Sequence, residues 1–370
     1  MDIAMFFSRL FFALSFLNYA FVFFLLFFER KDSASRFAWI LTLAFLPVLG
    51  LLIYILFSGH FFTKTQRMKE AKEHVNEAST TFMENQQDFF EKQAGTFSNP
   101  ILNEYSSLID MNLNYANAPI TFTDSVKIFT WGKDIFDNLF EDIKNARHYI
   151  FLQYFIIRND QTGQKFINLL CEKAREGVEV KLLYDDLGSF KTPHSLFAQL
   201  DKAGGVSLPF FPVKTGNIWS LNFRNHRKIV VIDNKIGYTG GFNIGNEYAG
   251  LTDLTWRDTH IRLTGNCIFD LLITFLIDWH AMATGKRTKI KYKGLTERLI
   301  PDMYAINKKI FSGLTGKTTV SSKIPTQIIS SGPDNQQRTE IKDAMIRMIM
   351  NAKKNNLFAN TVFYTRSVIF

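Results

Sequence analysis

The sequence predicts an α/β fold preceded by a two-helix transmembrane hairpin. Three observations carry that reading. Two long apolar runs open the chain, strand-like and helix-like stretches alternate from Val126 onward, and a group of polar residues with fixed gaps surrounds the short apolar strand Ile229 to Ile232.

The apolar runs come first. Leu10 to Phe28 is broken only by Ser15 and Asn18, and Phe37 to Phe57 follows a polar hinge, ERKDSASR. Each run is long enough to cross a hydrocarbon core as a helix, and Pro47 and Gly50 in the second are tolerated there. A cleaved leader needs a basic start and a small-residue cleavage site, whereas this chain opens Met1-Asp2 and the first run ends in Phe and Glu. Basic residues flank both ends of the hairpin, with Arg30, Lys31 and Arg36 in the hinge and Lys64, Arg67, Lys69 and Lys72 after the second run. Their distribution places the long C-terminal part, and the N-terminus with it, on the cytoplasmic side of a multi-pass protein. The 43 Lys and Arg against 34 Asp and Glu give a net charge of +9, which points to an anionic partner, nucleic acid or a membrane surface. Cys171 and Cys267, the two cysteines, stand at no metal-like spacing and read as buried free thiols of a reducing compartment.

Residues 1–60 are thus assigned to the hairpin and 61–118 to a polar, charged helical connector. The region 119–300 follows as an α/β half, and 301–370 as the start of a second. Val126 to Thr130 reads as a strand and Ile135 to Asn145 as a helix. YIFLQYFII, from Tyr149 to Ile157, is the continuous apolar run of a buried parallel strand. One of Gln153 and Tyr154 should face the site and the other the core. A helix from Gln164 to Glu176 closes at Gly177, a strand runs from Val178 to Tyr184, and a helix from Pro193 to Ala203 ends at Gly204-Gly205. Beyond the central stretch come a strand from Thr259 to Leu263 and a long helix starting at Asn266. Asp185 and Asp186, at a strand end, read as a loop cap rather than a metal site. Arg257 suits either a phosphate oxygen or a fold-fixing salt bridge.

The chemistry concentrates in Asn225 to Tyr248, NHRKIVVIDNKIGYTGGFNIGNEY. His226 and Lys228, two apart at a strand, point the same way. An imidazole beside an ammonium suits a phosphate: one attacks it or moves a proton, the other neutralises its oxygens. Gly240 and Gly241 admit backbone close to a ligand.

This pattern, H-x-K-x(4)-D followed by the glycine pair and Asn243, resembles the signature of the phospholipase D superfamily. Within it the chain resembles bacterial cardiolipin synthases, through the hairpin ending ILFSGH, the QYFI strand, GVEVKLLYDDLGS, NHRKIVVID and WRDTHIRLTG. The resemblance implies condensation of two phosphatidylglycerol molecules into cardiolipin and glycerol, through a phosphohistidine and with no metal or other cofactor. It makes His226 the nucleophile or general acid and lets Lys228 and Asn243 hold the phosphoryl oxygens. Asp233 then supports the site geometry, in a catalytic set of His226, Lys228 and Asp233 with Gly240, Gly241 and Asn243 binding phosphate. It further implies anionic membrane lipid as partner and a location in the bacterial cell (inner) membrane. Nucleic acid is not expected, and homo-oligomerisation is left open. A membrane-anchored phosphodiesterase or nuclease, or an inactive lipid-binding remnant, is the alternative.

A faint repeat links Val126 onward with Ile324 onward: strand, glycine-containing loop, acidic helix, Ala-Lys/Arg turn, apolar strand. The family scheme needs a histidine from each half. His226 lies 72 residues past Tyr154, so the matching motif of a second half falls beyond residue 370, and an incomplete repeat, ended early by a frameshift, is the expectation. On that basis little or no cardiolipin is expected from this chain alone.

Overall fold

The computed structural model describes residues 3–28, 33–57, 63–93, 97, 99–212, 224–253, 256–283, 303–315, 323–332 and 340–353. It divides into two compact units, one containing residues 1–62 and the other containing 63–215 and 223–350.

In the first unit α1 spans Ile3–Phe28, and its segment Met5–Phe24 has the length and hydropathy of a membrane span, which no other described helix has. The second apolar run departs from expectation. It is not one helix but two, α2 (Ser33–Phe45) and α3 (Pro47–Phe57), about 20 and 17 Å long, each short of a hydrocarbon core of about 30 Å. Pro47 has no amide hydrogen to continue the ladder, and the chain doubles back there. Trp39 and Tyr54, fifteen residues apart, stack edge to face at 5.2 Å, where a straight helix would hold them about 22 Å apart. Gly50 makes the return close, since a Cβ there would lie 2.6 Å from the Thr42 carbonyl oxygen. Tyr54 also meets Phe21 of α1 at 5.0 Å. The polar Asn18 of the first run is accommodated by a hydrogen bond from its Nδ2 to the Leu43 carbonyl (2.9 Å).

The second unit is built on an eight-stranded mixed sheet in the order β4-β3-β2-β5-β6-β7-β1-β8. Its strands are β1 (Thr121–Phe129), β2 (Tyr149–Tyr154), β3 (Glu179–Asp185), β4 (Val206–Phe210), β5 (Ile229–Ile232), β6 (Ile236–Gly240), β7 (His260–Gly265) and β8 (Ile324–Thr326). β2, β3 and β4 are parallel and every other pairing is antiparallel. β1, β2, β3, β4 and β6 therefore end at one common edge, while β5 and β7 begin there.

The parallel core forms because β2 is buried along its whole length and needs cover on both faces. On one face lie α7 (Gly132–Lys144), α8 (Gln161–Arg175) and α9 (His194–Lys202), whose apolar stripes join Ile150, Leu152 and Tyr154. Asp160 caps α8, accepting from the Gly163 amide at 3.0 Å. A short helix, α10 (Asn246–Ala249), follows β6, and on the other face α11 (Ile268–Met282) packs Leu272, Phe275 and Trp279 against Phe151 and Val231.

The stretch read as a polar connector belongs to this unit. α4 (Thr63–Gln93) is followed by α5 (Pro100–Glu104) and α6 (Ser106–Ala116), and Phe82 and Phe90 are buried with Leu113, Phe122 and residues of α12 (Met303–Leu314). Gln86 takes a strand's part at the start of β1, donating to the Ile120 carbonyl (2.9 Å) and accepting from the Ile120 amide (2.8 Å). The beginning of the expected second half likewise joins the first. β8 pairs antiparallel with Thr121–Thr123 of β1 and extends the same sheet, with α13 (Glu340–Asn351) following it. Residues 354–370, on which the frameshift expectation rests, lie outside the described residues.

Candidate phosphate site

The common carboxyl edge is where side chains of adjacent loops converge in an α/β sheet. His226 lies in the segment entering β5 at this edge and is exposed, while Lys228, next to the strand, is only 2% exposed. The Lys228 ammonium donates to the His226 carbonyl at 2.8 Å and stands 3.1 Å from the imidazole Nε2. Phe155, leaving β2, closes one side, with its ring 4.9 Å from the imidazole and 5.7 Å from Nζ.

Burial and this crowding set the charge states. Partial burial lowers the His226 pKa, the Lys228 charge lowers it further, and the Asp258 carboxylate opposes both. Desolvation pulls Lys228 down from 10.5 to about 8, again opposed by Asp258. Near neutral pH the pair is therefore a free imidazole nitrogen beside an ammonium.

Two side chains keep the entering segment in place. Asp185, at the end of β3, accepts from the amides of Leu187 (3.0 Å), Gly188 (2.9 Å) and Asn225 (3.0 Å). Its oxygens are engaged as a cap, and among the described residues no group of three or more His, Cys, Asp or Glu side chains could hold a metal ion. The fully buried Asp278 of α11 accepts from Asn225 Nδ2 (2.9 Å), from Gln153 Nε2 (2.6 Å) and from Arg227 Nη1, so both neighbours of His226 are anchored to one carboxylate. Gln153 therefore serves the scaffold on the α11 face, and Tyr154 the opposite core.

The other expected residues divide. Asn243 is buried, accepts from the Ile156 amide (3.0 Å) and donates to the Tyr248 hydroxyl (2.8 Å), tying the loop after β6 to the exit of β2 beside Phe155. An asparagine amide has two hydrogens, and the Tyr248 bond uses one of them. Asp233 does not join the pair. It sits at the opposite end of β5, five residues or roughly 17 Å along an extended chain from Lys228. Its carboxylate accepts the amides of Arg147 (2.8 Å), His148 (2.8 Å) and Tyr149 (2.9 Å) at the start of β2. It fixes the pairing of β2 with β5 and reaches the site only through the backbone.

The glycine pair makes room for neighbouring protein. A Cβ on Gly240 would lie 2.5 Å from the Cα of His260, and one on Gly241 would lie 1.8 Å from a carboxylate oxygen of Asp258. The glycines thus bring the strand entering β7 against the end of β6. That strand carries two residues that the sequence reading quoted within WRDTHIRLTG but did not single out for the site. Asp258 supplies the negative charge that acts on both His226 and Lys228. His260 is buried, and desolvation, reinforced by the Lys228 charge, drives its pKa to about 3, so it is a neutral neighbour. Both belong to the WRDTH run, where Arg257 is exposed and forms no ion pair among the described residues.

Residues 139–253, which include His226, Lys228, Asp233 and Asn243, match the family described as cardiolipin synthase, PLD-like domain, and residues 16–59 match the phospholipase D-nuclease N-terminal family. The cardiolipin synthase of Staphylococcus aureus strain Mu50 is 39% identical over 343 residues, 92% of this chain and 65% of its own length. That of Listeria monocytogenes serotype 4a strain HCC23 is 35% identical over 351 residues, 94% of this chain and 68% of its own. This chain thus spans 65% of the length of its Staphylococcus relative. Among solved structures, Nuc of Salmonella typhimurium, a phospholipase D family member, aligns at 17% identity with a TM-score of 0.33, over 43% of this chain and 96% of that one. With a mixed α/β sheet, a matching domain across its site and relatives of this similarity, the chain belongs to the cardiolipin synthase family of PLD-like proteins.

Proposed function

We propose that this chain is a cardiolipin synthase-like phosphatidyltransferase whose substrate is phosphatidylglycerol. The observation that carries the reading is the His226 Nε2 to Lys228 Nζ approach of 3.1 Å on an open sheet edge. In the first step the Nε2 lone pair attacks the phosphorus, a P–N bond forms, and the P–O bond to the headgroup glycerol breaks. The glycerol oxygen leaves with a proton. In the second step a headgroup hydroxyl of another phosphatidylglycerol attacks the phosphohistidine. The P–N bond breaks, the hydroxyl proton passes to a base, and cardiolipin is released. Lys228 and the remaining Asn243 amide hydrogen neutralise the phosphoryl oxygens, which gather charge as the phosphorus is attacked.

Asp258 holds Lys228 in its ammonium form and keeps His226 from losing basicity altogether. Asp233, Asp185 and Asp278 are positioning residues. The family resemblance assigns the leaving proton to a second histidine, and H-x-K occurs once in this sequence, so that proton comes from outside this motif, for which a second copy of the chain is one source. α1 is proposed as the anchor in the bacterial cell membrane, with the second unit on the cytoplasmic side, in keeping with its two buried free thiols.

The test is incubation of the full chain with phosphatidylglycerol in mixed micelles. A small, His226-dependent yield of cardiolipin and glycerol is expected from this chain alone, and single-stranded DNA should not be turned over. Cardiolipin formed equally by His226→Ala would sink the assignment.

A further inference from the structure

Among the described residues between 119 and 283, seven large hydrophobic side chains are exposed: Val126, Ile128, Trp131, Leu187, Phe190, Leu251 and Trp256. Their distribution is one-sided. Val126 lies within β1. The other six, between 37% and 68% exposed, all stand at the edge where β1, β3 and β6 end and β7 begins. Ile128 and Trp131 end and follow β1, Leu187 and Phe190 follow β3, and Leu251 and Trp256 lie between β6 and β7. None of the seven lies at the opposite edge, where the turns carry residues such as Asn234 and Lys235. Scattered exposed apolar residues are ordinary, but a rim collected around one site marks a contact surface.

Two features of the rim identify its counterpart. It contains two Trp and one Phe beside the aliphatic Ile128, Leu187 and Leu251, and tryptophan, with an apolar ring and a polar N–H, settles at a membrane–water boundary. Cations also stand beside the aromatics. Lys191 Nζ lies 5.8 Å from the Phe190 ring, and the exposed Arg257 adjoins Trp256. The carboxylates Asp134, Asp253 and Asp258 also lie on this edge, within a chain that carries +9 overall. A groove of about 410 Å³ between Trp131 and Leu251, floored by Phe136 and Phe140, opens beside the rim. His226 is exposed on the same edge.

We infer that the carboxyl edge of the sheet is a bilayer-docking surface. Trp131, Phe190, Leu251 and Trp256 enter the headgroup region of an anionic membrane, and Lys191 and Arg257 stay at phosphate level beside them. Docking in this way presents His226 to lipid phosphates without drawing a lipid out into water. The inference extends beyond the transferase reading and does not need turnover.

The full chain is reconstituted in vesicles of phosphatidylcholine and phosphatidylglycerol. A nitrobenzoxadiazole label is placed in turn on Trp131→Cys, Phe190→Cys, Leu251→Cys and, as the opposite-edge reference, Lys235→Cys. Cys171 and Cys267 are buried, so native labelling goes to the introduced thiol. A nitroxide on the lipid acyl chain should quench the three rim labels several-fold more than the label at 235, and iodide in the water should show the reverse order. The quenching should fall when phosphatidylglycerol is omitted. Equal lipid quenching at all four positions overturns the inference, as does a rim shielded from both quenchers, which means that protein, such as a second copy, covers it. Undiminished quenching in phosphatidylcholine alone overturns the anionic specificity. A chain that docks as expected but makes no cardiolipin refutes the transferase reading alone.

Discussion

Lys228→Met should stabilise this protein while removing its phosphate chemistry. The ammonium is 2% exposed and its pKa falls from 10.5 to about 8, mainly through desolvation. That difference of about 2.5 pH units, at 1.36 kcal/mol each, means the charged lysine costs about 3 kcal/mol of folding free energy at neutral pH. The substitution also removes the 2.8 Å bond to the His226 carbonyl and the 3.1 Å contact with Nε2, together about 1–2 kcal/mol. The net expectation is a gain of about 1–2 kcal/mol at pH 7.

The sign with pH follows from proton counts. Between pH 8 and 10.5 the unfolded chain keeps the lysine proton and the folded chain has lost it. Wild-type stability therefore rises with pH across that window, and the advantage of Lys228→Met disappears. Urea denaturation in detergent micelles measures this, followed through the emission of Trp279, which is fully buried in the same unit and packs 5.6 Å from Phe275. A variant less stable than wild type at pH 7, or a difference that does not change between pH 7 and 10.5, would refute the reasoning.

Three further outcomes are expected. The rate of phosphatidyl transfer should rise with pH through an ionisation below the ordinary 6.5 of histidine, as His226 loses its proton, and decline through about 8 as Lys228 does; a pH–rate profile checks both limbs. Asp258→Asn removes the charge that raises both pKa values, so both limbs should move to lower pH; a profile superimposable on wild type would separate Asp258 from the site. Asp185→Ala leaves three amides at a buried position without their acceptor, those of Leu187, Gly188 and Asn225. A loss of about 3 kcal/mol or more in urea denaturation, with a rise in KM from the loosened Asn225–His226 segment, is expected.

The elements that sequence made legible are those whose burial is total. YIFLQY and IVVI admit no reading but buried strands, and the helices ending at Gly177 and Gly204 close on residues with φ of +90° and +106°. The missed strands lack that signal. β1 begins five residues before the expected Val126, because Thr121, Thr123, Asp124 and Ser125 interrupt any apolar run, and β4 contains Pro209. The second membrane helix failed at Pro47, where tolerance of proline was assumed and the chain instead turned back.

The site divides along the same line. His226 and Lys228 are two apart, so local geometry brings them together. Asp258 and His260 arrive through the antiparallel pairing of Gly240 with His260, which no local pattern announces. Asp233 could have been placed correctly, since the four residues of β5 that separate it from Lys228 set the two at opposite ends of one strand. The role of the glycine pair was hidden for another reason. A glycine that admits a ligand and one that admits a neighbouring strand look the same until that strand is seen.

The central claim is that His226 is the nucleophile in phosphatidyl transfer, and intact-protein mass spectrometry tests it most directly. Brief incubation with phosphatidylglycerol of one defined acyl composition, followed by a quench at alkaline pH, should add the mass of a single phosphatidyl group. Fragmentation should place it on His226, and His226→Asn should show neither adduct nor cardiolipin. An adduct on another residue, or cardiolipin formed by His226→Asn at the wild-type rate, would contradict the account.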